Sequence, residues 1–270
     1  MFSRAIQTLR DGVLSLTYPQ ECHICSQPVE SWNDGVVCSA CWNNPKISGL
    51  FSNQACCIKC HAPLPTSQSF SSLYNLSTST SKERTCKQCE AMPFTVARAC
   101  GAYAGALEAN ILFLKSQPHI CPRLRQILLQ TFIANAKYLL SDIVIPVPLH
   151  ITRKLERGFN QAELLAKLLT SHFNMQFDNH MLKRTQNTER HRAGMDAFER
   201  MKSVRGVFQV TRTNELQNAS VLLVDDVFTT GSTLCAATQV LLETGAAQVQ
   251  ILTIAKVTTS TKPQSPVRDV

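Results

Sequence analysis

Apolar residues fall into a few short, dense runs separated by polar stretches, and most of those runs lie in the later part of the chain. Ile143–Val147 and Val221–Val224 are nearly unbroken apolar strings, the pattern of strands buried on both faces. Gln248–Lys256 supplies another strand after the Gly245 turn, and Cys100–Tyr103 predicts a short one. Between them, helical periodicity predicts helices over Ala106–Lys115, with Leu107, Ile111 and Leu114 on one face, and over Leu124–Leu140. Two more are predicted from about Asn160 to Leu169 and over Leu234–Leu242. Strands that alternate with helices predict an α/β fold, a doubly wound parallel sheet, over residues 94–257.

The earlier part reads differently. Residues 1–20 form a short amphipathic stretch carrying Arg4, Arg10 and Asp11. It lacks the long apolar core of a signal peptide or membrane span, so the chain is expected to be cytoplasmic. Residues 21–93 have little apolar periodicity but hold most of the 12 cysteines. Eight of these make four C-x-x-C pairs: Cys22/Cys25, Cys38/Cys41, Cys57/Cys60 and Cys86/Cys89. Each pair places two thiolates on one metal from a tight knuckle, and two knuckles complete a tetrahedral site. Soft sulfur ligands with no need for redox chemistry make zinc the expected metal ahead of an Fe–S cluster, and a disulfide framework fits poorly without a secretory leader. Pairing the first knuckle with the second and the third with the fourth is favoured, and a cross-braced arrangement is open. Cys56 and His61 stand beside the third knuckle as substitute ligands, and Cys100, Cys121 and Cys235 are solitary packing cysteines. Residues 63–81 are a Ser/Thr-rich insertion between knuckles three and four, and residues 258–270 a polar tail expected to be disordered. Trp32 and Trp42 flank the second knuckle, placed to pack over the metal or to stack on bases.

Charge adds a partner class. At 270 residues the chain carries a net charge of +8, which favours anionic partners, phosphorylated metabolites or nucleic acid. The candidate site for such a partner is Val221–Leu234, VLLVDDVFTTGSTL. Its strand delivers Asp225 and Asp226 to a turn of small residues, Thr229, Thr230, Gly231, Ser232 and Thr233, just before a helix. Free backbone N–H groups and the helix dipole suit a phosphate there, and Gly231 admits close approach. The two carboxylates accept hydrogen bonds only, which suits sugar hydroxyls or a bridging Mg²⁺. Downstream of the Ile143 strand, Arg153, Lys154 and Arg157 predict a basic loop, and Gly158 precedes a helix N-terminus, a second place for an anion. Residues 182–208 are strongly basic as well, with Lys183, Arg184, Arg190, Arg192, Arg200, Lys202 and Arg205.

The hydrophobic run, D-D and T-T-G-x-T resemble the phosphoribosyl-pyrophosphate (PRPP) signature of type I phosphoribosyltransferases. The P-V-P-L-H…R…R-G-F-N-Q-A…L-L-A run beginning at Pro146 and the cysteine knuckles sharpen the resemblance to the ComF family, also called GntX-like. It covers nearly the whole chain apart from the Ser/Thr insertion and the tail. The resemblance implies PRPP binding through Asp225, Asp226, Thr229, Thr230, Gly231, Ser232, Thr233 and Arg153, with Asp225, Asp226 and Arg157 in the catalytic roles. It implies Mg²⁺-assisted displacement of pyrophosphate at ribose C1, a mobile lid over residues 183–205, and a link to competence and the use of imported DNA. A non-catalytic accessory protein binding single-stranded DNA is the competing class. His191 and Ser203 depart from the family pattern, where Gln and Asn are common, and no residue stands out as a general base.

Overall fold

The structure, a computed structural model, describes residues 20–46, 48–50, 56–60, 85–86, 89–186 and 206–258. The amphipathic stretch over residues 1–19, the Ser/Thr-rich insertion, most of the basic segment with its lid and the tail from residue 259 lie outside the described residues. Among the described residues, no helix is long and apolar enough to cross a membrane.

Five parallel strands make the sheet: β1 (Val96–Ala102), β2 (Ile143–Pro146), β3 (Gln176–Phe177), β6 (Ser220–Phe228) and β7 (Gln248–Lys256). Their order is β1-β7-β6-β2-β3. A separate antiparallel ribbon pairs β4 (Leu182–Arg184) with β5 (Phe208–Val210). Helix α1 (Ser39–Asn43) belongs to the cysteine-rich part. Helices α2 (Gly105–Ser116), α3 (Pro122–Ala134) and α4 (Ala136–Leu139) link β1 to β2. Helices α5 (Ile151–Arg157) and α6 (Gln161–Phe173) link β2 to β3, and α7 (Ser232–Glu243) links β6 to β7.

Two apolar cores sandwich the sheet. One unites Leu107, Ile111, Leu124, Leu165 and Leu169 with Val144, Leu222, Val224 and Leu252. The other joins Leu234, Ala237 and Leu241 to Ile145, Val221, Leu223, Val249 and Ile251. Alternate residues of β6 thus enter opposite cores, which is why its sequence shows no polar face. The cysteine knuckles are divided the same way: Cys22, Cys38 and Cys41 sit in the first core, and Cys57, Cys60 and Cys89 in the second.

Several boundaries differ from the sequence reading. The first strand runs from Val96 to Ala102 rather than from Cys100 to Tyr103, because its small residues pair with β7 from Val96 against Gln250 onward. The helix predicted over Leu124–Leu140 breaks at Asn135. There the Asn135 carboxamide takes the Nε–H of buried Arg98 at 2.9 Å and donates to the Thr131 carbonyl at 2.9 Å, which turns the chain around that guanidinium. Arg153, Lys154 and Arg157 lie in α5 and not in a loop, since His150 caps the helix start and Gly158, at φ 76°, ends it. Strand β6 continues through Asp225 and Asp226 to Phe228, held by pairing of Asp225, Val227 and Phe228 with Thr253, Ala255 and Lys256.

From β2 the chain winds outward to β3, and from β6 it winds the other way to β7. The carboxyl ends of β2 and β6 therefore flank the point where winding reverses, the place where open α/β sheets leave a crevice for ligands.

Candidate functional site

The crevice is built from two strand exits. On the β6 side, Gly231 adopts φ +81° and caps α7, which begins at Ser232 rather than at Leu234. A Cβ at Gly231 would meet Phe228 Cε2 at 2.8 Å and Met92 Cε at 3.1 Å. Glycine is thus required twice, by conformation and by space. Thr230 Oγ1 lies 3.1 Å from Ser232 Oγ and accepts the Ser232 N–H at 3.4 Å. Thr229 and Thr230 face solvent, while Ser232 is buried. The first-turn N–H groups of α7 have no partner within the helix and point at this turn, with the positive end of the dipole behind them.

Immediately before the turn stand the acids, both half-buried. The Asp226 N–H donates to Asp225 Oδ1 at 2.9 Å, and Asp226 Oδ2 lies 3.6 Å from Lys115 Nζ at the end of α2. Burial, then the neighbouring Asp226 charge, pushes the Asp225 carboxyl well above its usual range, and Lys115 pulls against them. A dication or a set of hydroxyls laid between these oxygens would relieve that repulsion, so the donor set fits Mg²⁺ or a ribose edge.

On the β2 side, the Val147 N–H donates to the Val224 carbonyl at 2.9 Å, locking the two exits together. Buried Asn160 donates to the Val147 carbonyl at 3.0 Å and accepts the Ala162 N–H at 3.1 Å, capping α6. Arg157 Nη1 donates to Gln161 Oε1 at 3.1 Å, and Arg153 pairs with Glu156 at 3.6 Å within α5. A cavity of about 250 Å³ beside this exit is lined by Pro148, Lys154, Asn160, Glu163, Asn179 and His180 among others. The structure gathers Asp225, Asp226, Thr229, Thr230, Gly231, Ser232 and Thr233 on one exit and sets Arg153 and Arg157 on the neighbouring one. Lys115 reads in the sequence as an ordinary helix-ending lysine or an anion contact, and its pairing with Asp226 follows only from the packing of α2 over the sheet.

The thiols form two groups, Cys22/Cys25/Cys38/Cys41 and Cys57/Cys60/Cys86/Cys89, each with its sulfurs within 4.8 Å of one another. Cys25 Sγ is 3.6 Å from Cys38 Sγ, and Cys60 Sγ is 3.7 Å from Cys86 Sγ. Zn–S bonds of about 2.3 Å in a tetrahedron require sulfurs about 3.8 Å apart, so both groups fit zinc. Burial pushes the Cys38 and Cys86 thiols up. Burial raises Cys41 too, and hydrogen bonding with Cys60, followed by burial, raises Cys89. Against its burial, Cys22 shifts the other way, brought down to about 7 by backbone hydrogen bonds, and the raised thiols in each group ionise together with their neighbours only around a cation. The first knuckle thus joins the second and the third joins the fourth, as favoured from spacing. Cys56 stays outside the second group, and His61 lies outside the described residues. Trp42 is buried against the first site, its Nε1–H donating to the Asp34 carbonyl at 2.8 Å, whereas Trp32 is 42% exposed.

Two family models match separate parts of the chain. The phosphoribosyl transferase domain family matches residues 155–269, and the double zinc ribbon domain family matches residues 13–74. Competence protein F of Haemophilus influenzae is 36% identical over 118 residues, 43% of this chain and 51% of that protein. The DNA utilization protein YhgH of Escherichia coli K12 is 36% identical over 112 residues, 42% of this chain and 48% of that protein. Competence protein ComFC of Bacillus subtilis is 34% identical over 116 residues, 42% of this chain and 43% of that protein. The chain thus spans about half the length of the curated relatives it matches. Two cysteine sites on a parallel sheet, two domain families and this set of relatives support a ComF-like, phosphoribosyltransferase-fold protein with N-terminal zinc ribbons.

Proposed function

We propose that the chain binds PRPP at the β6–α7 junction and displaces pyrophosphate from ribose C1. One observation carries this reading: an acid pair leads within one strand end into a left-handed glycine that opens a helix N-terminus, all at the switch point of the sheet. The Thr229–Thr233 turn holds the 5′-phosphate through backbone N–H groups and hydroxyls. Asp225 and Asp226 hold the ribose hydroxyls. Mg²⁺, when bound with PRPP, offsets negative charge on the pyrophosphate. Arg157 and Arg153, presented from α5, supply positive charge on the same side of the crevice.

In the reaction the C1–oxygen bond to pyrophosphate breaks, and pyrophosphate leaves with the electron pair. An acceptor lone pair then forms the new bond at C1. The cavity lined by Asn160, Glu163, Asn179 and His180 gives an acceptor space beside the β2 exit. The names of the relatives, two for competence and one for DNA utilization, support a role in handling imported DNA.

Thermal unfolding of the zinc-loaded chain tests the reading. PRPP with Mg²⁺ at a hundred times Kd adds about 2.7 kcal/mol of stability, and Asp225→Asn with Asp226→Asn removes that gain. Stabilisation by single-stranded oligonucleotide alone, steeply weakened by salt, would instead favour the accessory DNA-binding role.

A further inference from the structure

We infer that Lys256 is an anion-binding residue of the phosphate cradle, its ammonium presented from the end of β7 beneath the first turn of α7. The inference rests on the phosphate-binding reading of the Thr229–Thr233 turn and adds to it a charge that the sequence motif does not contain.

Lys256 is only 3% exposed, yet its recorded contact among the described residues is an aromatic face, with Nζ 3.7 Å from the centroid of the Phe228 ring. A buried cation carries a large desolvation cost, of which an aromatic face returns only part. Such a group ordinarily sits against a carboxylate. The acids of the crevice are engaged elsewhere: Asp226 pairs with Lys115, and the charges acting on Asp225 are those of Asp226 and Lys115.

Its place points to the missing partner. Lys256 lies opposite Phe228 in the β6–β7 ladder. The edge of that same Phe228 ring fills the space where a Gly231 side chain would go. The cation is therefore one ring away from the backbone of the cradle. Cys235, in the first turn of α7, registers its charge: burial pushes that thiol up to about 11, while Lys59 and Lys256 pull the other way. Lys59 is already committed, its Nζ donating to the Met92 carbonyl at 2.7 Å. Lys256 is the cation left for a phosphate seated in the turn.

The test compares the zinc-loaded full chain with Lys256→Met, titrating ribose 5-phosphate and inorganic phosphate by calorimetry. Removing a buried charge whose partner is the ligand leaves the ligand-free protein as stable as before, or more so, and lowers ribose 5-phosphate affinity at least tenfold. A lysine serving only packing gives the opposite pair of results, a lower melting temperature with affinity within twofold of wild type, and that overturns the inference. A measurement on the unmodified protein stands beside it: with isotope-labelled lysine, ribose 5-phosphate shifts the Lys256 side-chain resonance, and an unmoved resonance overturns the inference. If wild type binds no phosphate ligand, the cradle reading falls along with this one. If wild type binds and Lys256→Met binds equally well, this inference alone fails.

Discussion

Lys115 Nζ, at the end of α2, lies 3.6 Å from Asp226 Oδ2, at the end of β6. A helix from the first core thereby brings a positive charge to the acid pair. The contact is one-third exposed on the lysine side, so Lys115→Gln is expected to change stability by less than about 1 kcal/mol. Its effect on the acids is larger in kind. Lys115 lowers the raised Asp225 carboxyl, so the same substitution moves the Asp225 titration to higher pH. Carboxyl resonances followed through a pH titration check this, and an unmoved Asp225 midpoint would sink it.

Gly231→Ala attacks the cradle through its backbone. The new methyl would sit 2.8 Å from Phe228 Cε2 at φ +81°, so the turn must open or the ring must move. Left-handed strain alone costs about 1–2 kcal/mol. We expect a melting temperature lower by several degrees and phosphate-ligand affinity reduced more than tenfold. Ligand-free unfolding and calorimetry separate the two effects, and wild-type affinity in the variant would contradict the packing described for Met92 and Phe228.

Each zinc site holds one face of the sheet. Cys89→Ser leaves the Cys57/Cys60/Cys86 thiols without a fourth ligand, in the core that also holds Phe228 and Leu234. We expect metal analysis to fall from two zinc ions per chain to one. Stability falls by more than about 4 kcal/mol, which for a chain of this size is a shift of about 10 °C. Cys56→Ser, outside the cluster, leaves the zinc content at two. Loss of zinc from Cys56→Ser would overturn the ligand assignment.

The strands and most helices were legible because burial on both faces leaves a local mark: β2 and β6 are apolar strings, and α2 and α6 carry a clear apolar stripe. The cysteine pairing and the acid–turn motif were legible for the same reason, since their geometry is set by spacing of a few residues. What escaped depends on contacts distant along the chain. Asn135 ends a helix because Arg98, on β1, needs its carboxamide oxygen. Arg153 and Arg157 are helical because His150 and Gly158 cap a segment with no buried residue, so no periodic stripe announced it. Lys115 and Lys256 read as helix-end and strand-end lysines, and only packing and the ladder bring Lys115 to Asp226 and Lys256 against Phe228.

The raised Asp225 carboxyl makes stability depend on pH in a direction opposite to that of most carboxylates. Its cause is burial first and the Asp226 charge second. The unfolded chain gives up this proton near the ordinary aspartate value of 3.8, while the folded protein keeps it to higher pH. Between those two points the folded state binds more protons, so stability falls as pH rises. Asp225→Asn abolishes that slope. Asp226→Asn narrows the window from above, because one like charge is gone. A bound cation or ribose favours the ionised pair, so ligand binding releases a proton and strengthens as pH rises through the same window. Carboxylates with depressed values, Asp142 through Ser220 and Glu163 through Lys167, give slopes of the other sign in acid. The measurement is therefore the difference between wild type and Asp225→Asn in urea unfolding, from about pH 4 to about pH 8. A difference that stays level across this range would show that Asp225 is ionised at all these pH values and that the acid pair is already compensated before any ligand arrives.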